Sequence, residues 1–230
     1  MGEATEIDGD LELSWSTIRV RGDQAEPFLQ GQLSQDITSA GERGVWSLLL
    51  EPDSVVVTTG FVRRSDGGYD VAVPRELAEV ALARLRRFLL RTRCTLDVAP
   101  SGEGPFATLA DQIEASWPGG AEFAPGLTPH AFGRSFVEAT VAFDKGCFTG
   151  QELVARLDAR GASVPWRLVR VAGPDRASLD AYLRSKGPAG PQGVTSSLAR
   201  EGGVIGLGFA HRSLLSGELA SGDLSVVEVR

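Results

Sequence analysis

At Gly161 the 230-residue chain changes its punctuation, and any fold it adopts has to join two unlike halves. Downstream, Trp166–Val171, Gly193–Leu198, Val204–Phe209 and Leu224–Val229 are short strand-like runs cut by Gly, Pro and Ser, the pattern of a small β-barrel or sandwich. Upstream, strand-like and helix-like segments alternate. Leu13–Arg21 reads as a strand. Asp23 and Glu26 have capping-box spacing, Pro27 is tolerated in a first turn, and Phe28, Leu29, Leu33 and Ile37 recur at helical spacing. Val45–Leu50 and Ser54–Val62 flank the turn signal Glu51-Pro52-Asp53, and Tyr69–Val73 follows Asp66-Gly67-Gly68. Pro74 opens a helix to about Leu90, striped by Leu77, Val80, Ala81, Leu85, Phe88 and Leu89, after which Thr92–Val98 returns to strand. The first hundred residues therefore run β-α-β-β-β-α-β, an α+β pattern with helices on a mostly antiparallel sheet. Residues 99–135 are richer in Gly and Pro, with a short helix expected near Phe106–Ser116. The expected division is residues 1–161, with a subdivision near 99 left open, and a C-terminal small β-barrel over residues 162–230.

The net charge of −7 disfavours broad attraction to nucleic acid or anionic membranes. No apolar run approaches the roughly 18–20 residues that span a bilayer, and Met1–Asp10 is acidic without the layout of a signal peptide. Two cysteines, Cys94 and Cys147, make no disulfide framework, so the expectation is a reduced, cytoplasmic protein. Arg84, Arg86, Arg87, Arg91 and Arg93 form a basic stretch, read first as a solvated helix face and second as a site for a carboxylate, a phosphate or an acidic partner. Lysine is nearly absent. One of only two, Lys145, stands beside Cys147, where a compact ammonium of adjustable pKa differs from a planar guanidinium.

Residues 145–152 read Lys-Gly-Cys-Phe-Thr-Gly-Gln-Glu. Thr149 and Glu152 have capping-box spacing ahead of Leu153, Val154 and Leu157, and Gly161 is a good stop, so a helix from about Gly150 to Arg160 is expected. Cys147 then lies just ahead of a helix N-terminus, where the dipole and Lys145 both favour a thiolate. Gly146 and Gly150 allow a tight turn and close approach of a ligand to the backbone. The plain alternative is a structural loop carrying a buried cysteine.

The octapeptide resembles the signature of the YgfZ family of folate-binding proteins, relatives of the glycine-cleavage T protein, and Arg156 matches the arginine usual in the helix that follows. Phe28-Leu29-Gln30-Gly31-Gln32-Leu33 with Asp36 resembles the family's opening helix, and Pro74–Arg91 its second. Gly193-Val194-Thr195-Ser196-Ser197 followed by Ile205-Gly206-Leu207-Gly208 resembles its C-terminal hairpin, so the likeness runs from about residue 13 to 212. It implies a T-protein-like fold that binds tetrahydrofolate and supports assembly or repair of iron–sulfur clusters in client enzymes, tRNA-thiolating ones among them. Cys147 is then the functional thiol, with Lys145, Gly146, Gly150, Gln151, Glu152 and Arg156 shaping the folate-binding loop.

Two departures bear on activity. T proteins carry carboxylates on the strand after the first β-turn, one of them used in aminomethyl transfer, whereas Ser54–Val62 offers Thr58-Thr59. Relatives also often carry a Pro-x-Glu element where Thr128–Arg134 has no glutamate, leaving Glu138 or Asp144 to meet a pterin's N–H donors. A folate-dependent one-carbon transferase is therefore the second reading, and a docking module without folate, using Arg84–Arg93, the third. No protein-built metal site is expected: His130 and His211 lack ligand spacing with Cys147. Cys94, Trp46, Trp117 and Trp166 read as core.

Overall fold

Alternating apolar residues on five segments build the first sheet. Its strands are β1 (Trp15–Arg21), β2 (Val45–Leu50), β3 (Val56–Ser65), β4 (Gly68–Pro74) and β5 (Thr95–Gly102), all antiparallel in the order β2-β3-β4-β1-β5. The computed structural model describes residues 11–161, 163–185, 187–215, 220–221 and 223–229. The Met1–Asp10 segment and Lys186 lie outside them. The β3–β4 hairpin pairs Ser65 with Gly68, so Asp66-Gly67 is the two-residue turn, and Gly67 takes φ +70° as that turn requires. Helices α1 (Ala25–Gln32) and α2 (Ala78–Arg86) cover one face, closing a core of Ile18, Val20, Leu29, Val71, Ala81 and Leu85.

Both helices differ at their starts from the sequence pattern. Gln24, not Asp23, precedes α1, and no side chain caps it; Glu26 instead accepts from Tyr69 Oη and Arg64 Nη2. A tertiary contact has replaced the local one. After Pro74 a 3-10 turn, Arg75–Leu77, comes before α2, which ends at Arg86 rather than Leu90; Arg91, at φ +60°, cannot continue a right-handed helix.

The middle of the chain is helical: α3 (Leu109–Glu114), α4 (Gly120–Phe123), a 3-10 turn at Pro129–Phe132, α5 (Arg134–Thr140) and α6 (Gln151–Ala159). Thr108 caps α3 in a true capping box with Asp111. Strands β6 (Trp166–Gly173), β7 (Gly193–Arg200), β8 (Gly203–His211), β9 (Ala220–Ser221) and β10 (Leu224–Glu228) make a second antiparallel sheet in the order β7-β8-β6-β10-β9. Helix α7 (Arg176–Arg184) lies between β6 and β7, and the short α8 (Arg212–Leu215) follows β8.

The expected barrel is not closed. Among the described residues β7 and β9 stay as edges, because neither face needs the sheet to curl onto itself. Val169, Val171, Val204 and Val226 pack with Leu179 and Leu183 of α7, while Leu168, Leu198, Leu207 and Phe209 face the other way. On that side they join Leu48, Leu50 and Val56 of the first sheet, with Phe132, Phe136 and Val154 between, so one cluster binds both sheets and the middle helices.

Candidate functional site

Residues 145–150 of the octapeptide form a loop tied to the end of α1, and Gln151 and Glu152 open α6. Lys145 Nζ donates to the carbonyl oxygens of Leu33 and Gln35, each at 2.8 Å, and sits 5.5 Å from the Phe148 ring centroid. Burial pulls its pKa down to about 8, with Asp36 opposing the fall. The Thr149 amide donates to Gly31 O at 3.0 Å and Ser54 Oγ to Gly150 O at 2.6 Å. Phe148 is buried in the cluster shared by the two sheets, whereas Cys147 is exposed. The loop is thus held at Lys145, Phe148, Thr149 and Gly150 while its thiol faces solvent.

Two local expectations change. Gly150 at φ +84°, not Thr149, precedes α6, and no side chain caps the helix; the Thr149 hydroxyl turns to Gly31 O at 3.4 Å. The Lys145 ammonium is committed to backbone carbonyls rather than to the thiol, and α6 begins four residues beyond Cys147, past the reach of a first-turn dipole effect. The glycines also part company. A Cβ on Gly150 would stand 2.7 Å from Glu51 O, whereas one on Gly146 meets nothing within 4 Å. Gln151 is half-buried, and Glu152 and Arg156 are exposed on α6.

The basic stretch is not one solvated face. Arg84 is fully buried, its Nε donating to Leu50 O at 3.0 Å and Nη1 to Gln32 Oε1 at 3.1 Å, with the Phe88 ring 4.3 Å away. Glu51 lies 3.4 Å from Arg84 Nε and 2.5 Å from Arg87 Nη2. Desolvation lowers the Arg84 pKa. Gln32 lies within 3.5 Å of the Thr149 hydroxyl, so this guanidinium braces the strand and helix to which the octapeptide is tied. Arg86, Arg91 and Arg93 are exposed.

A second constellation was not visible in the sequence. Thr59 Oγ1 and Trp117 Nε1 are buried polar atoms without a hydrogen-bond partner, and both residues line one small cleft, with Trp15, Glu76, Gln112 and Gly119. Trp117 packs at a tilt against Trp46, ring centroids 4.4 Å apart, in an aromatic row that continues to Phe106 and Phe136. Glu122, 1% exposed, holds the cleft's Gly119 amide at 2.8 Å and accepts from Thr195 Oγ1 at 2.6 Å and Ser196 Oγ at 2.7 Å. Thr59, Trp117 and the Thr195-Ser196 pair stand apart in the sequence with nothing to join them, and the acidic partner of Thr195 lies 73 residues away. Unpaired donors, indole walls and the Glu76 carboxylate suit the polar edge of a flat heterocycle. The cleft, about 40 Å³, is narrow in this structure and admits about three waters.

The remaining candidates are dispersed. Glu138 is exposed and paired with Arg134 at 2.6 Å, and Asp144 is exposed. His211 Nδ1 lies 2.7 Å from Ser213 Oγ, and His130 is buried beside Asp158. Among the described residues no three His, Cys, Asp or Glu side chains gather as metal ligands. Cys94 is half-buried against the first core, and burial pushes its thiol pKa up. Trp46, Trp117 and Trp166 are only partly buried, unlike Trp15. No described helix is long and apolar enough to cross a membrane.

Two antiparallel sheets joined by a helical middle make a mixed α and β fold that is T-protein-like. The particular likeness is to the crystal structure of the glycine cleavage system aminomethyltransferase T from Bartonella henselae, at a TM-score of 0.58 and 15% identity over 96% of this chain and 84% of that one. No protein-family model matches the sequence, and no curated protein does.

Proposed function

We propose that this chain binds tetrahydrofolate on its T-protein-like fold and, as the YgfZ resemblance implies, supports iron–sulfur cluster assembly or repair in client enzymes of the cytoplasm, with Cys147 as the functional thiol. The observation that carries this reading is the octapeptide loop, which is fastened at Lys145, Phe148, Thr149 and Gly150 and leaves Cys147 exposed. A structural loop around a buried cysteine would do the reverse. In this reading Gly146, Gln151, Glu152 and Arg156 complete the loop's folate-facing surface. Residues 1–161 act as the folate-binding region and 162–230 as its smaller companion.

The Thr59–Trp117 cleft is the second place where a folate ring has suitable partners: Glu76 for its N–H donors, Thr59 and Trp117 for its polar edge. Its present volume requires the Trp117–Gly120 segment to move for a ring to enter. Tetrahydrofolate would supply one-carbon chemistry; the chain's own residues would bind and orient it. The aminomethyltransferase reading lacks a carboxylate at Thr58-Thr59, where both side chains are buried. An assay of methylenetetrahydrofolate formation from an aminomethyl donor is expected to show no turnover.

The test is calorimetric titration with tetrahydrofolate, paired with iron–sulfur enzyme activities in cells carrying Cys147→Ala. Binding together with lost activities supports the reading. No heat of binding, with activities unchanged, removes it.

A further inference from the structure

A cavity of about 570 Å³ lies between α5, the last turn of α6 and the second sheet, and shares no lining residue with the octapeptide or the Thr59 cleft. Its charged lining is uneven. Arg134 holds Glu138 at 2.6 Å, and Arg167 faces Glu228 at 3.6 Å while donating to the His130 carbonyl at 2.9 Å. Each arginine thus has a carboxylate of its own, and Asp158 is the third carboxylate in a cavity with two cations. The His130 ring stands beside Asp158, with Nε2 3.8 Å from Oδ1, beyond hydrogen-bond distance, and Arg134, already held by Glu138, acts on Asp158 by charge alone.

His130 itself is unusual. Its side chain is 2% exposed, and neither ring nitrogen has a hydrogen-bond partner. Buried polar groups nearly always have one, so this ring marks a place where something else supplies it. Burial pushes the His130 pKa down, with Asp158 countering and Arg167 adding to the fall, so the ring is neutral at pH 7 and keeps one acceptor nitrogen. Phe143, 41% exposed, forms an apolar wall of the same cavity. An acceptor nitrogen, a surplus carboxylate and an aromatic face are the three features that recognise an alkylammonium group.

We propose that this cavity is a binding site for a small organic ammonium ion, its head bridging Asp158 and His130 and its alkyl part lying along Phe143. The bridge gives the orphaned imidazole a donor and the surplus carboxylate a counter-charge, while leaving the two arginine–glutamate pairs intact.

The probe is n-butylammonium, titrated into the full chain and followed by amide and imidazole NMR shifts, with butyrate as the control of equal length. Saturable shifts at His130, Phe143 and Asp158 with butylammonium and none with butyrate are expected. Asp158→Asn is expected to weaken binding at least about ten-fold, as loss of a charged hydrogen bond does. Asp158→Glu, which keeps the charge, is expected to hold affinity within a few-fold. Asp158 is 54% exposed, so both variants should melt like the parent. An equal response to butyrate, shifts confined to other regions, or an Asp158→Asn variant that titrates like the parent overturns the assignment.

Discussion

Lys145 Nζ donates to the carbonyl oxygen of Leu33 at 2.8 Å, and with the matching bond to Gln35 O this ties the octapeptide to the chain just beyond α1. The bond explains why a chain that otherwise uses arginine keeps a lysine here. Two carbonyls converge on one point, which suits a compact ammonium better than a planar fork. Lys145→Arg is therefore expected to loosen the loop about as much as Lys145→Met. Hydrogen exchange at Thr149, whose amide bonds Gly31 O, reads this directly. Protection retained in Lys145→Arg but lost in Lys145→Met would refute the geometric argument.

The same lysine gives a pH signature. Its folded pKa is lowered to about 8, mainly by desolvation, from an ordinary 10.5. Between those values the unfolded chain binds more protons than the folded one at this site, so this group's contribution to stability rises with pH. Below about pH 8 the burial penalty on the charged form is fully present. Melting temperatures of the parent and Lys145→Met, compared from pH 7.5 to 10, should show the difference shifting toward the parent as pH rises. A constant difference would mean that the ammonium is not desolvated.

Arg84 should be costly to remove. Arg84→Ala strands Leu50 O and Gln32 Oε1, leaves Glu51 with Arg87 alone, and opens a hole under Phe88. A loss of about 3 kcal/mol is expected in urea unfolding, the scale seen when one member of a buried charged network is deleted. Arg86→Ala, at an exposed neighbour, should stay within about 0.5 kcal/mol. Comparable losses for the two would contradict the burial of Arg84.

These cases mark where the sequence could be read. Strand β2 was legible to the residue at Val45–Leu50, and the four late strands to within a few positions, because apolar alternation and Gly or Pro punctuation are local signals. The capping pairs Asp23–Glu26 and Thr149–Glu152 had the right spacing and formed no caps, since Tyr69, Arg64 and Gly31 offered better partners from distant segments. Arg84 looked like surface because charge patterning does not register an acceptor 34 residues away at Leu50 O. Helix α7 is masked by the Gly- and Pro-rich turns around it, although Asp175 caps it through the Ser178 amide and Leu179 and Leu183 form its buried stripe. The Thr59–Trp117 cleft has no local signature, for its members come from β1, β3, the turn before α2, α3 and the loop after it.

The two motif glycines should separate cleanly on substitution. Gly150 needs a left-handed backbone and has Glu51 O where a Cβ would go, so Gly150→Ala is expected to lose about 1–2 kcal/mol. Gly146 has neither constraint, and Gly146→Ala should lie within about 0.5 kcal/mol of the parent. Equal destabilisation would imply that the 145–149 loop packs more tightly than the geometry shows.

The thiols offer the most direct check on the site. Cys147 is exposed on a fastened loop, whereas Cys94 is half-buried against the first core and its pKa is raised by that burial. A disulfide reagent at pH 8 reacts with thiolate, and only where it can reach. The native protein should therefore release one equivalent of chromophore quickly and a second only slowly, on opening or denaturation. Cys147→Ser should abolish the fast phase, and Cys94→Ser the slow one. Loosening the loop with Lys145→Met should leave the fast amplitude at one equivalent, because the lysine is bonded to Leu33 and Gln35 rather than to the sulfur. If Lys145→Met slows that phase several-fold at constant pH, the ammonium activates the thiol after all, and the role given to the Leu33 and Gln35 carbonyls is wrong.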